Sequence, residues 1–211
     1  MKILTRAEFL PILLIVFAFA IGFWVSADLP ELVPSHWDIS GNVDGYATRD
    51  VAVLLLPAIA LVVYLLMTFL PLIDPLKKRY AEFVWPYFWI KTVIVTFLVA
   101  IHLGTLWIGL GKELNMSYLI VFLMSALFLI LGFNLPKIKK NYFIGIRTPW
   151  TLHSESVWDE THKQASKLFM IASAVSLLAL IFNFYPFLVL IISILIAALF
   201  SVVYSYLVFK K

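Results

Sequence analysis

The sequence predicts an all-α integral membrane protein that crosses the bilayer six times, with both termini on the inside of a bacterial-type cytoplasmic membrane. Composition, hydropathy and charge placement carry that expectation. Of the 211 residues, 63% are hydrophobic and 13% charged, against roughly one half and one quarter in an average soluble domain. Mean hydropathy is +1.00, so a water-soluble fold of this size has no room to hide the apolar surface and lipid must solvate most of it. The sixteen Lys and Arg residues sit in short clusters between apolar runs, which is not the pattern of a nucleic-acid-binding face. The chain has no cysteine, which excludes disulfides, thiol nucleophiles and thiolate metal sites.

A hydrocarbon core about 30 Å thick takes roughly 20 apolar helical residues. On that scale the spans fall at residues 9–27, 51–73, 87–110, 117–135, 168–184 and 187–209. The first is preceded by Lys2 and Arg6 and ends at Val25-Ser26-Ala27, which resembles a signal-peptidase site. Its apolar stretch is longer than a signal-peptide core, so it is expected to remain as a span. The last two spans form one apolar run that Asn183-Phe184-Tyr185-Pro186 interrupts, and Pro186 suits the first turn of a new helix. Lys167, Lys210 and Lys211 flank this run, and a helical hairpin brings all three to one side.

Charge bias sets the orientation. Fourteen of the sixteen basic residues fall inside: Lys2, Arg6, Lys77, Lys78, Arg79, Lys91, Lys137, Lys139, Lys140, Arg147, Lys163, Lys167, Lys210 and Lys211. Arg49 and Lys112 are left outside. Residues 1–75 then read as an N-terminal two-span unit with an outer loop at 28–50. Residues 76–211 read as a four-span unit carrying a cytoplasmic motif at 145–167.

The outer loop holds five acids against Arg49, a net charge of −4. Pro30 and Pro34 oppose helix, while Gly41 and Asp44-Gly45 favour reversals. A short, irregular segment is expected, folded as a compact, extended or hairpin-like cap. His36, Trp37, Asp38 and Asp44 are its candidate binding residues: acids that steer a cationic, apolar peptide and an aromatic ring that anchors it. The competing reading is interfacial anchoring by Trp37 and Tyr46 beside solvated acids. His36, Asp38 and Asp44 match no established metal spacing, and no metal or cofactor is expected.

The inner segment at 145–162 is the densest in chemistry. Pro149 keeps Thr148 extended, and a short helix is expected over residues 154–167, with Glu155 in its favourable first turn. The 3.6-residue period puts Glu155, Trp158 and His162 on one face, with Asp159 alongside. Arg147 is expected to reach Glu155 as a brace. Three readings stand open: a structural loop with Trp150 and Trp158 at headgroup level, a docking surface for a cytosolic protein or lipid phosphate, and an acid/base or metal cluster of Glu155, Asp159 and His162. Within the spans, Lys91 is expected to snorkel to the inner surface. His102 is expected to face the bundle toward Ser125 or Asn134, and no intramembrane acid accompanies it. A transporter centred on His102 is therefore a weak alternative.

Gly145-Ile-Arg-Thr-Pro-Trp-Thr-Leu, followed by Glu155 and Val157-Trp158, closely resembles the signature of the SdpI/YfhL family of membrane immunity proteins. Val33-Pro-Ser-His-Trp-Asp-Ile-Ser-Gly-Asn-Val-Asp-Gly is similar to the N-terminal membrane domain of unknown function that accompanies it. The resemblance implies a non-enzymatic multi-pass protein that protects the cell from a secreted, membrane-active peptide, SDP. It also implies, in the founding member, retention of a cytosolic transcriptional repressor at the membrane. Its shared inner residues fall at Gly145, Arg147, Thr148, Pro149, Trp150, Thr151, Leu152, Glu155, Val157 and Trp158, while His162 lies in a less strict part of the pattern. The partners it implies are thus the toxic peptide outside, the repressor inside and the membrane lipids around, with no nucleic acid.

Overall fold

A computed structural model of the chain describes residues 5–211. Lys2, counted above on the inner side, lies outside the described residues. Seven α-helices and one two-stranded sheet follow in order. The helices are α1 (Phe9–Val25), α2 (Arg49–Ile73), α3 (Val84–Gly109), α4 (Met116–Asn134), α5 (Pro149–His153), α6 (Glu155–Ile181) and α7 (Pro186–Lys210). The strands β1 (Leu32–Trp37) and β2 (Val43–Thr48) lie between α1 and α2. All but α5 are long and apolar enough to span a membrane, and between 17% and 39% of each one's most apolar stretch is buried within the chain. The rest is an apolar outer surface that only lipid can cover.

α3 packs against α1, α2 and α4, while α6 packs against α4 and α7. Between α1, α2 and α3, Ile15, Ala18, Ala60, Tyr64, Val95 and Val99 form a buried cluster. Small and hydroxylated residues bring α4 and α6 together. Ser166 and Ser173 each donate a 2.7 Å hydrogen bond, to the carbonyls of Gly132 and Ser125 respectively. A Cβ on Gly132 would stand 2.7 Å from Met170.

Two expectations are corrected. The outer loop is not irregular: β1 and β2 pair antiparallel, with Val33 opposite Ala47 and Trp37 opposite Val43, so the hairpin form is the one adopted. The inner helix does not stop at residue 167. It continues as α6 through the fifth span, because Val157, Trp158, Thr161, His162, Ala165, Ser166 and Phe169 carry one buried stripe through the junction. The short helix of the inner loop is instead α5, where Pro149 takes the first position after Thr148.

Candidate functional site

The inner motif is a knot of hydrogen bonds. Thr148 caps α5, accepting from the Thr151 backbone N–H at 3.2 Å, while Thr151 Oγ1 accepts from the Thr148 N–H at 2.9 Å. Thr151 Oγ1 also donates to the Ile146 carbonyl at 2.8 Å, and Thr148 Oγ1 lies 3.0 Å from Ser205 Oγ on α7. Trp150 packs on Tyr206 at a centroid distance of 5.1 Å. The loop is thereby tied to the last helix.

Trp158 and His162 are both fully buried and stacked, with ring centroids 4.1 Å apart. Trp158 donates from Nε1 to the Ile138 carbonyl at 2.8 Å. His162 Nε2 accepts from the Ile146 N–H at 3.0 Å and Nδ1 donates to the Trp158 carbonyl at 2.8 Å, which together require the neutral Nδ1–H ring. Gly145 passes over these rings with φ +110°, and a Cβ there would lie 2.5 Å from His162 Nε2. Only glycine meets both conditions.

The expected brace is not formed. Glu155 is exposed and binds Arg79 from the α2–α3 connection in a two-pronged contact, at 2.7 and 3.3 Å. Arg147 donates to the Tyr142 carbonyl at 2.7 Å instead. Glu155 and Asp159 point outward while His162 points inward, so the proposed carboxylate–imidazole face does not assemble. Among the described residues no group of three acids or histidines is placed to hold a metal. Trp158 is buried within the chain and presents no surface to lipid headgroups; Trp150 is half-buried.

Beside the knot lies a polar node that the sequence reading passed over. Asp74 is 1% exposed, yet its carboxylate accepts from Leu76 N–H, Tyr142 N–H and Tyr80 Oη at 2.7, 2.9 and 3.0 Å. Tyr80 Oη also reaches Asn141 Oδ1, which accepts from the Phe143 and Ile144 N–H groups. Burial first, then the bond to Asp74, pushes the Tyr80 hydroxyl well above its ordinary pKa and keeps it a neutral donor. The signal for Asp74 was an acid set between Ile73 and Pro75 at a span's end, where a solvated loop would need none.

Within the spans, Lys91 does not snorkel. It is fully buried, 2.7 Å from Glu8 Oε2 and 3.4 Å from Thr68 Oγ1, with the Tyr64 ring 5.0 Å away. Tyr64 Oη donates to the same Glu8 oxygen at 3.2 Å, while Glu8 Oε1 has no partner among the described residues. An acid therefore does accompany the intramembrane cation, supplied by the residue just before α1. His102 faces α1 and not α4: its Nε2 donates to the Ala18 carbonyl at 3.2 Å, and Gly22 leaves it room.

Outside, the hairpin is pinned at base and tip. Leu29 and Val33 fill the space left by Gly109 on α3. Asp38 accepts from the Ser40 and Asn42 N–H groups and from Asn42 Nδ2, closing a turn in which Gly41 has φ +88°. The Asn42 side-chain amide, then its backbone N–H, holds the Asp38 carboxyl below its ordinary pKa. His36 binds Asp44 across the hairpin at 2.5 Å. Trp37 is half-buried and covers a cavity of about 170 Å³ lined mainly by α2 and α3.

Two segments of the chain match known families. Residues 137–205 match the SdpI/YfhL protein family, and residues 13–61 match a domain of unknown function, DUF1648. The chain is a multi-pass membrane protein, and its C-terminal segment is similar to the SdpI/YfhL family, as the motif at Gly145 implied. It is 29% identical to the Immunity protein SdpI of Bacillus subtilis (strain 168) over 209 residues, 98% of this chain and 97% of that one. No solved structure matches the chain.

Proposed function

We propose that the protein confers immunity against a secreted, membrane-active peptide of the SDP type. Its seat is the cytoplasmic membrane, its outer face engages the peptide, and its inner loop holds the bundle that supports the engagement. The observation that carries this reading is the end-to-end likeness to an immunity protein, which includes both the outer hairpin and the inner knot. The retention of a cytosolic repressor falls to the exposed side of the inner motif, at Arg147, Pro149, Glu155 and Asp159. A binding role without catalysis fits His162, both of whose ring nitrogens are already engaged.

The test is survival of a sensitive cell expressing the chain under challenge with SDP. Protection is expected with the parent chain. Trp37→Ala is expected to reduce it strongly at unchanged protein level, since a buried aromatic anchor dominates binding while each acid mainly tunes the approach rate. Asp38→Asn and Asp44→Asn should weaken protection less singly than together, most at low salt. Cells that die at the same toxin dose with and without the chain would overturn the reading.

A further inference from the structure

The outer surface carries a cleft that the motifs do not mark. Two adjoining pockets of about 400 and 420 Å³ lie between the hairpin tip and the α6–α7 turn, sharing Ile39, Ser40, Tyr185, Pro186 and Phe187. One compartment adds Leu188 and Ile191 and is apolar; the other adds Asn115, Ser117, Tyr118 and Asn183 and is polar.

Both walls hang on one element, the start of α4. Ser117 Oγ donates to the Asp38 carbonyl at 3.2 Å, and Gly41 sits so close that a Cβ would meet Asn115 Oδ1 at 2.8 Å. These contacts fix the hairpin tip. Across the cleft, Tyr118 Oη donates to Asn183 Oδ1 and fixes the α6–α7 turn. The cleft is therefore preformed, which removes an ordering cost from any ligand.

The turn is also strained. Asn183 has φ 51° and Tyr185 φ 41°, and for a bulky side chain a left-handed backbone is a genuine outlier. Held strain of this kind clusters at sites where a side chain must be presented. Here it presents the Tyr185 ring, 69% exposed, opposite Ile39, 73% exposed. Asn115 Oδ1 is occupied by the Tyr118 N–H and Asn183 Oδ1 by Tyr118 Oη, while the two Nδ2 groups make no hydrogen bond within the described residues. Amide donors beside an apolar wall suit a peptide backbone with large apolar side chains. The outer segments hold six acids (Asp28, Glu31, Asp38, Asp44, Asp50, Glu113) against Arg49 and Lys112, so positive charge on the ligand is favoured.

We propose that this cleft is the outer binding site for an extended, apolar peptide carrying positive charge, with its side chains on Tyr185 and Phe187 and its backbone on Asn115 and Asn183. The assignment rests on the immunity reading and adds the place of capture to it. It also gives the two matched segments a joint task, since the hairpin supplies one wall and the α6–α7 turn the other.

The chain has no native cysteine, so single cysteines report cleanly. The full protein with Ser40→Cys, and a control with Glu31→Cys at the far end of the hairpin, are placed in phosphatidylglycerol/phosphatidylethanolamine nanodiscs. Each is labelled with an impermeant maleimide, with and without synthetic SDP peptide. At a peptide concentration about ten times that giving half-saturation, labelling of Ser40→Cys should slow about tenfold, and that of Glu31→Cys should not change. Equal rates at Ser40→Cys with and without peptide, or equal slowing at both positions, would overturn the cleft. Slow labelling before peptide is added, relieved by moving the protein to detergent, would mean that lipid fills the cleft and would also overturn it. Tyr185→Gly separates binding from folding, because glycine relaxes the left-handed backbone while removing the ring. It should melt no lower than the parent yet lose protection; full protection would overturn the proposal. If such variants protect while the parent protects as well, the immunity reading stands and the cleft falls. If the parent neither protects nor binds, both fall.

Discussion

On the inner face, Thr148, Thr151, Trp158 and His162 commit their donors and acceptors to the chain itself. On the outer face, Asp38 closes its own turn, but Asn115 and Asn183 keep amide N–H groups toward a preformed cleft. The two faces thus differ in what a substitution should do. Inner changes act through folding and lower the amount of intact protein. Outer changes act through binding and leave the amount alone.

The largest folding effect should come from the inner half of the bundle, at Glu8 and Lys91. A buried ion pair gains little over a well-packed apolar pair, but removing one partner strands the other charge at a cost of about 3–5 kcal/mol. Lys91→Met or Glu8→Gln alone should therefore unfold the protein at much lower denaturing-detergent fraction in mixed micelles. The double variant should recover much of the loss. Additive losses would show that the two charges are not a pair.

Next is Gly145→Ala. A Cβ at 2.5 Å from His162 Nε2, on a backbone with φ +110°, combines overlap with a strained conformation that alone is worth about 1–3 kcal/mol. The variant should accumulate poorly and melt early. Parent-like melting would mean that the chain does not run this close to the rings.

The first of these effects was not legible in the sequence, and the second only in part. Span positions were legible because lipid imposes a length and an apolar composition on each helix. Pro186 and the Asn183–Tyr185 break marked the last hairpin for the same local reason. The inner motif was legible as a pattern, but not its wiring. Arg147 and Glu155 are close along the chain, whereas Glu155 meets Arg79 across 76 positions, and no local periodicity carries that information. Glu8 was hidden by its place just outside the first apolar run. It bends back to Lys91 because a lysine facing the bundle needs a counter-charge there. The outer cleft was invisible in principle, since its walls come from three separate segments.

A smaller effect tests that wiring. Arg79→Ala and Glu155→Ala should show coupling in a double-mutant cycle, while Arg147→Ala and Glu155→Ala should add independently. Glu155 is exposed, so the coupling should be no more than about 1 kcal/mol even for a two-pronged contact. Coupling of Glu155 to Arg147 and none to Arg79 would reverse the assignment.

The smallest effect belongs to the outer turn and depends on pH. Asp38 lies at the partly exposed hairpin tip, and its carboxyl is held below the ordinary 3.8 first by the Asn42 side-chain amide. A group whose folded pKa is depressed contributes stability above its unfolded value and loses it as pH falls through the folded one. The hairpin tip should therefore be unchanged from neutral pH down to the ordinary carboxyl range and loosen only below it. Fluorotryptophan at Trp37, observed by fluorine NMR in a His36→Gln background, reads this next to the turn without the neighbouring imidazole. Its acid transition should have a midpoint below 3.8, and Asn42→Ala should raise that midpoint toward the ordinary value. Asp38→Asn should remove the component due to this carboxyl, because the amide still accepts from the Ser40 and Asn42 N–H groups but does not titrate. A midpoint that Asn42→Ala leaves in place would mean that the Asn42 side-chain amide is not what holds the Asp38 carboxyl. The hairpin tip would then rest on its backbone hydrogen bonds and on Ser117 and Asn115, and the outer face would be less firmly built than the inner.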